Sequence, residues 1–188
     1  MVGGWRLREP STRRITRPLY NRYWVRSAGN VISESIYKPV KLLPIKENQF
    51  ALWKEMREDV YGSLEDEFHE KEMKQIFSSD DWFCYFLENE NGQITGFAEL
   101  SSRNIVDGCL SSPVAYLEGL YLKKEYRGMG QGREAMNAIK NWCKNKGFTE
   151  LGMDTELANI NAQKFFKAMG LQETYRIVQF RTRIDPGS

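Results

Sequence analysis

The spacing of apolar positions changes several times after Lys38, and each change marks an element. "KPVKLLPI" reads as a first strand. From Asn48 to Val60, Phe50, Trp53, Met56 and Val60 recur at helical spacing, and residues 65 to 77 predict a second helix with Phe68, Met73, Ile76 and Phe77 inward. "DWFCYFLEN" and "QITGFAELSS" flank Asn91-Gly92, a type I′ turn signal, and predict a hairpin. A loop containing Asp107-Gly108 leads to "VAYLEGLYL", Val114 to Leu122, an almost continuous apolar and aromatic strand. A glycine-rich turn and a helix from about Gly132 to Lys146 follow. "TELGMD" reads as a strand, Asn159 to Met169 as a helix closed by Gly170 at C′, and "ETYRIVQFRTRI" as a final strand. The order β-α-α-β-β-β-α-β-α-β predicts an α/β domain with a mixed sheet.

Residues 1–37 lack any such period and are rich in Arg, Ser, Thr and Gly. They are expected to form a poorly ordered basic extension, with residues 38–188 as the folded domain. Pro10, Pro18 and the missing amphipathic repeat argue against an organelle transit peptide. No apolar run is long enough to cross a bilayer, so a soluble protein with no membrane partner is expected. Cys84, Cys109 and Cys143 are far apart, which predicts reduced thiols in a cytoplasm and neither a disulfide framework nor a metal site. His69 is the only histidine; without a Gly-x-Ser-x-Gly elbow it predicts no catalytic triad, and a solvated place on its helix.

The net charge of +2 conceals an asymmetry: residues 1–40 carry 8 basic and 2 acidic groups, the remainder 19 and 23. Glu55, Glu58, Asp59, Glu65, Asp66, Glu67, Glu70 and Glu72 crowd one stretch against Arg57 and Lys71. Such a run is ordinarily a solvated helix face. Lining a cleft, it would attract a small polycation and repel nucleic acid.

The strand Val114–Leu122 carries Glu118 and Gly119 at its centre. A carboxylate in a buried strand needs a cationic or hydrogen-bonding partner, and a glycine there marks close approach by a ligand or another chain segment. The partner of Glu118 could be a structural arginine such as Arg103, and Asp154 could cap the helix that follows it. After the strand, Gly128, Gly130 and Gly132 alternate ahead of a helix, a junction whose backbone N–H groups suit a phosphate. Arg133 stands where a dinucleotide fingerprint needs glycine, and no Lys-Ser or Lys-Thr completes a Walker loop.

Arg127-x-x-Gly130-x-Gly132 after a hydrophobic strand resembles the acyl-CoA pyrophosphate loop of the GCN5-related N-acetyltransferases. "NINAQKFFKAMGL" is similar to the Asn-x-x-Ala-x-x-x-Tyr-x-x-x-Gly helix of that superfamily, aligned at Asn159, Ala162, Phe166 and Gly170. Between about residues 41 and 184, "VDGCLSSPVAYLEGLYL", "MDTELAN" and "GLQETYRIVQF" together resemble the bacterial aminoglycoside 6'-N-acetyltransferases. The resemblance implies the GCN5-related N-acetyltransferase fold, a mixed, mostly antiparallel sheet flanked by helices with splayed central strands. It implies acetyl-CoA as co-substrate, a cationic aminoglycoside as acceptor, a bacterial cytoplasmic location and a homodimer. Position by position it makes Glu118 and Asp154 the active-site carboxylates, and Gly119, Leu120, Tyr121, Arg127, Gly128, Met129, Gly130, Gln131, Gly132 and Asn159 the acetyl-CoA contacts. Tyr61, Glu65, Asp66, Glu67 and Tyr175 fall where the family meets the aminoglycoside, together with Glu118 and Asp154.

The physical chemistry agrees with that implication. Several ammonium groups require several carboxylates, and attack on a thioester requires a neutral amine. Either Glu118 takes the proton, directly or through one water, while Asp154 orients the amine, or the two exchange roles. A backbone N–H just beyond Glu118 would hold the thioester oxygen as it gains charge. Phe166 replaces the tyrosine often assigned to protonate the departing thiolate, Ile105 stands at an aromatic sugar contact, Tyr61 replaces a tryptophan, and Tyr175 replaces an acid. These departures imply another proton donor and an altered antibiotic range. A polyamine or peptide N-acetyltransferase, or a non-catalytic acyl-CoA-binding module, would share the cofactor motifs.

Overall fold

The computed structural model describes residues 39–62 and 66–183, so the basic extension, Glu65 and the end of the chain lie outside the described residues. Strand β1 (Lys41–Pro44) precedes α1 (Phe50–Tyr61) and α2 (Asp66–Phe77). Then come β2 (Trp82–Glu88), β3 (Ile94–Arg103), β4 (Val114–Leu122), α3 (Gln131–Asn145), β5 (Leu151–Met153) and α4 (Ile160–Ala168). The sheet order is β1-β2-β3-β4-β5, antiparallel throughout except for the parallel β4–β5 pair. Element types and order match the sequence reading up to α4.

Both faces of the sheet are covered, because successive side chains of each strand point to opposite sides and both sets are apolar. Leu87, Ala98, Leu100, Ala115 and Leu117 pack against Ala135, Met136, Ile139 and Cys143 of α3. On the other face Phe86, Phe97 and Tyr121 meet Trp53 and Met56 of α1 and Met73 and Ile76 of α2. Helix α2 turns differently from its predicted orientation: His69 is buried, whereas Phe68 is 56% exposed and Phe77 41% exposed. His69, Met73 and Ile76 lie at four- and three-residue spacing along one stripe, and a polar partner beneath His69 makes its burial possible. Val60 is likewise exposed, and Arg57 takes an inward place on α1.

The β2–β3 hairpin forms, but not through a type I′ turn, which needs positive φ at both central residues. Only glycines have positive φ among the described residues, Gly92 at 75° included. Asn89 organises the loop instead, its Oδ1 accepting the Asn91 and Gln93 N–H groups at 3.0 Å each.

Two irregularities in the central strands position the site. In β3–β4, Glu99 pairs with Gly119 and Leu100 with Leu117, so Glu118 is the inserted residue of a β-bulge. Strand β5 pairs with β4 only over Ala115–Leu117, so the two strands are joined at one end and part beyond the bulge. The expected final strand does not form: residues 171–183 adopt no regular structure, and Val178 and Phe180 are 76% and 92% exposed. Strand propensity in "ETYRIVQFRTRI" is satisfied only by a hydrogen-bonding neighbour, and the described residues supply none for it.

Candidate active site

At the bulge two consecutive residues, Glu118 and Gly119, lie across from Glu99. Glu118 shares the α1 side of the sheet with Tyr116, two residues before it. Its Oε1 accepts the Ser101 hydroxyl and the Arg103 Nε–H (2.9 Å), and its Oε2 accepts Arg103 Nη2–H at 2.6 Å. The Arg103 guanidinium carbon lies 3.5 Å from the centre of the Tyr116 ring. Tyr116 in turn donates its hydroxyl to Asp154 Oδ2 at 2.9 Å. Burial first, then the hydrogen bond to Asp154 and that carboxylate's charge, push the Tyr116 phenol well above its ordinary range and keep it a donor. One arginine and one tyrosine therefore link the two predicted carboxylates. Asp154 follows the end of β5, where β4 and β5 part. It is not the cap of α4, a role taken by Asn159, whose side-chain oxygen accepts the Ala162 N–H at 3.1 Å.

Beneath Gly119 lies a polar network that the sequence reading did not identify. Glu99 Oε1 accepts Trp53 Nε1–H (2.8 Å) and Arg57 Nη1–H (2.7 Å), and its Oε2 accepts the Tyr61 hydroxyl at 3.2 Å. Arg57 also reaches Glu72, and its Nε–H donates to His69 Nε2 at 2.9 Å. The side chains of Arg57 and Glu99 are 2% and 1% exposed, so each charge depends on the other. Accepting at Nε2 requires a neutral imidazole, and burial followed by the Arg57 charge lowers the His69 pKa. The signal was present in the pattern: Arg57 lies four residues after Trp53 on the inward face of α1, and Glu99 shares a face of β3 with Phe97. A Cβ at position 119 would come within 2.7 Å of the Tyr61 hydroxyl and 3.3 Å of Glu99 Oε2. Gly119 is therefore required by this network within the chain itself, beside any ligand.

The glycine loop follows directly. Gly128 and Gly130 have φ of 75° and 81°, the left-handed region open to glycine, and Gly130 leads into α3. Gly132 has another cause, since a Cβ there would meet the Phe165 ring at 3.1 Å. Arg127 donates Nε–H to the Leu122 carbonyl at 2.7 Å, tying the loop back to the end of β4. Tyr121 is buried with its hydroxyl on Asp59, Leu120 is half-buried, and Met129 is exposed. The Gln131 side-chain oxygen is buried without a partner. An open length of β4 and a turn of left-handed glycines leading into the N-terminus of a 15-residue helix fit a long ligand ending in phosphates.

The predicted sugar-binding positions are less closely gathered. Tyr61 is committed to Glu99, and burial raises its pKa, so it stays protonated. Glu67 is exposed on α2, and Asp66 opens that helix. Tyr175 is exposed in the irregular segment after α4, next to Thr174, which abuts the Gly108 turn. Ile105 is exposed in the loop before β4, and Phe166 is half-buried with its ring 5.1 Å from that of Phe165.

Residues 51–171 match the acetyltransferase (GNAT) family. The chain belongs to this family. As a GNAT acetyltransferase it is 35% identical over 130 residues to an aminoglycoside N(6')-acetyltransferase type 1 of Serratia marcescens, covering 69% of this chain and 89% of that protein. Among solved structures it is similar to AAC(6')-Iy in complex with the bisubstrate analog CoA-S-monomethyl-acetylneamine, with a TM-score of 0.68 and 29% identity over 77% of this chain and 99% of the other. The aminoglycoside 6'-N-acetyltransferase AAC(6')-Ih of Acinetobacter baumannii superimposes with a TM-score of 0.68 at 30% identity, over 78% and 99% of the two chains. The expected fold is thus the observed one, a mixed, mostly antiparallel sheet whose central strands splay.

Proposed function

We propose that this GNAT acetyltransferase moves the acetyl group of acetyl-CoA to the 6'-amine of an aminoglycoside by direct attack, removing one of the drug's positive charges. The observation that carries the reading is the bulge: it sets a carboxylate, Glu118, and the backbone of Gly119 on the strand that runs into the left-handed glycine loop. Relatives and structural neighbours that share this frame act on the 6'-amine by name. When bound, acetyl-CoA supplies the activated acetyl thioester.

The residues then have separate tasks. Arg127 and the loop from Gly128 to Gly132 hold the phosphate end, with the N-terminus of α3 favouring negative charge. The backbone of Gly119 to Tyr121 receives the extended arm, and the N–H just beyond Glu118 meets the thioester oxygen. Glu118 accepts the proton of the attacking amine, directly or through one water, and Asp154, held by Tyr116, orients that amine. Asn159 holds the first turn of α4 through its side-chain oxygen and presents its amide nitrogen to the cofactor. The carboxylates of the α1–α2 turn, Glu65, Asp66 and Glu67, together with Tyr61 and Tyr175, meet the remaining ammonium and hydroxyl groups of the sugar.

Residues 38–188 constitute the catalytic domain, and residues 1–37 add a basic extension to it. The enzyme works in a bacterial cytoplasm as a homodimer; no helix among the described residues is long and apolar enough to cross a membrane. The dimer reading is supported by the apolar segment bearing Ile177, Val178 and Phe180, whose exposed side chains a second copy would cover.

The decisive experiment measures thiol release from acetyl-CoA with two matched aminoglycosides, one carrying a 6'-amine and the other a 6'-hydroxyl. Release with the amine alone is expected. Silence with both, in protein that binds acetyl-CoA, would overturn the reading in favour of polyamine or peptide amines.

A further inference from the structure

We infer that Arg103 is a built-in competitor for the substrate's ammonium group, occupying Glu118 until a sufficiently cationic substrate displaces it. The inference deepens the reading above and rests on Glu118 being the carboxylate that receives the 6'-amine. Arg103 covers both oxygens of Glu118, through Nε at 2.9 Å and Nη2 at 2.6 Å, and Ser101 takes a further site on Oε1. An ionised carboxylate offers about four acceptor sites, so three present donors leave little for an incoming amine. While Arg103 stays, Glu118 is neutralised and cannot both hold an ammonium and accept its proton.

The arginine is placed to leave. Its side chain is 42% exposed against 13% for Glu118, and it is the last residue of β3. Its guanidinium already lies over the Tyr116 ring, 3.5 Å from the ring centre and next to Asp154, so an arginine released from Glu118 keeps a cation–π partner. The contrast with Arg57 is direct: that arginine is enclosed, binds two carboxylates and has no exit. The physical need is also clear. A carboxylate so little exposed is costly to leave without a partner, and Arg103 supplies one in the free enzyme. Substrates carrying several ammonium groups can displace it because their other charges bind elsewhere in the acidic site; a lone amine must compete with a bidentate arginine. Arg103 would thereby set a charge threshold for admission.

The test uses the full chain and its Arg103→Gln and Arg103→Lys variants, each shown by a cooperative thermal melt to be folded at the assay temperature. Binding of the 6'-amino and 6'-hydroxyl aminoglycosides is measured by calorimetry, and turnover of the amine by thiol release. For the 6'-amine, R103Q is expected to lower Kd and KM about three- to tenfold without lowering kcat, as expected for removal of a partly exposed competing charge. The hydroxyl drug should gain less than about twofold, since a hydroxyl does not compete for the carboxylate. R103K should return KM toward the wild-type value, because a cation again faces Glu118. An unchanged or higher KM in R103Q would overturn the inference, as would a fall in kcat alone, which would make Arg103 a positioning residue for Glu118. Equal gains with both drugs would also overturn it, pointing to the general field. Failure of the functional reading is separate: it would appear in the wild-type chain as no turnover of either drug.

Discussion

Glu118 and Gly119 are adjacent, yet different neighbours require them. For Glu118 the neighbour is a cation, Arg103, whose place the amine takes on the proposed reading; for Gly119 it is the Tyr61 hydroxyl 2.7 Å from the place of a Cβ. Replacing Glu118 with Gln keeps shape but removes the proton acceptor, so kcat is expected to fall about 10²- to 10⁴-fold in a thiol-release assay. Acetyl-CoA affinity, measured by calorimetry, should stay unchanged, since the proposed cofactor contacts are backbone and the glycine loop. Gly119→Ala forces Tyr61 or Glu99 to move and should cost about 1–3 kcal/mol in urea unfolding. Adding Tyr61→Phe removes the atom in closest approach and should recover part of that loss; no recovery would mean that backbone, and not the phenol, sets the limit. The sequence alone made both positions conspicuous, because an acid and a glycine stand out in an apolar run. It could not say that neighbours within the chain bear on both of them.

Among the elements, α1, α2 and β3 are joined by charges as well as by apolar contact. Arg57 from α1 pairs with Glu99 of β3 and Glu72 of α2 and donates to His69 of α2, so one side chain ties three elements together. Arg57→Ala would leave Glu99 buried and unpaired, at a cost of about 3–5 kcal/mol, readable by chemical denaturation. His69 adds a pH dependence whose sign follows from its lowered pKa. The unfolded chain takes up a proton near the ordinary value of 6.5, whereas the folded chain does so only at lower pH. This contribution is complete above the unfolded pKa and is lost as pH falls through 6.5 toward the folded value. Stability should therefore drop more steeply between about pH 7.5 and pH 5.5 in the wild type than in His69→Gln, which keeps an acceptor without the titration. Periodicity placed both helices but chose Phe68 for the core of α2. It misjudged the face because apolar spacing carries no information about a buried arginine that needs an imidazole.

At the scale of the whole molecule, the chain reaches α4 as a covered sheet and then exposes an apolar segment. Ile177, Val178 and Phe180 lie outside any strand, and a homodimer would bury them. Sedimentation should accordingly find a dimer, and Val178→Asp with Phe180→Asp should shift it toward monomer while the isolated domain keeps its melt; a wild-type monomer would end that proposal. The order of strands and helices up to α4, the strand Val114–Leu122, the glycine loop and the start of α4 at Asn159 were legible in the sequence alone. Those features depend on consecutive residues: a repeat of apolar positions and a glycine free to take positive φ. Only the tertiary structure decided that Glu118 sits in a bulge, that Arg103 holds it, that Arg57 and His69 are interior, and that the last apolar stretch is unpaired. Each of these turns on strand register and on groups far apart in the chain, and a one-residue change of register exchanges the faces of a strand.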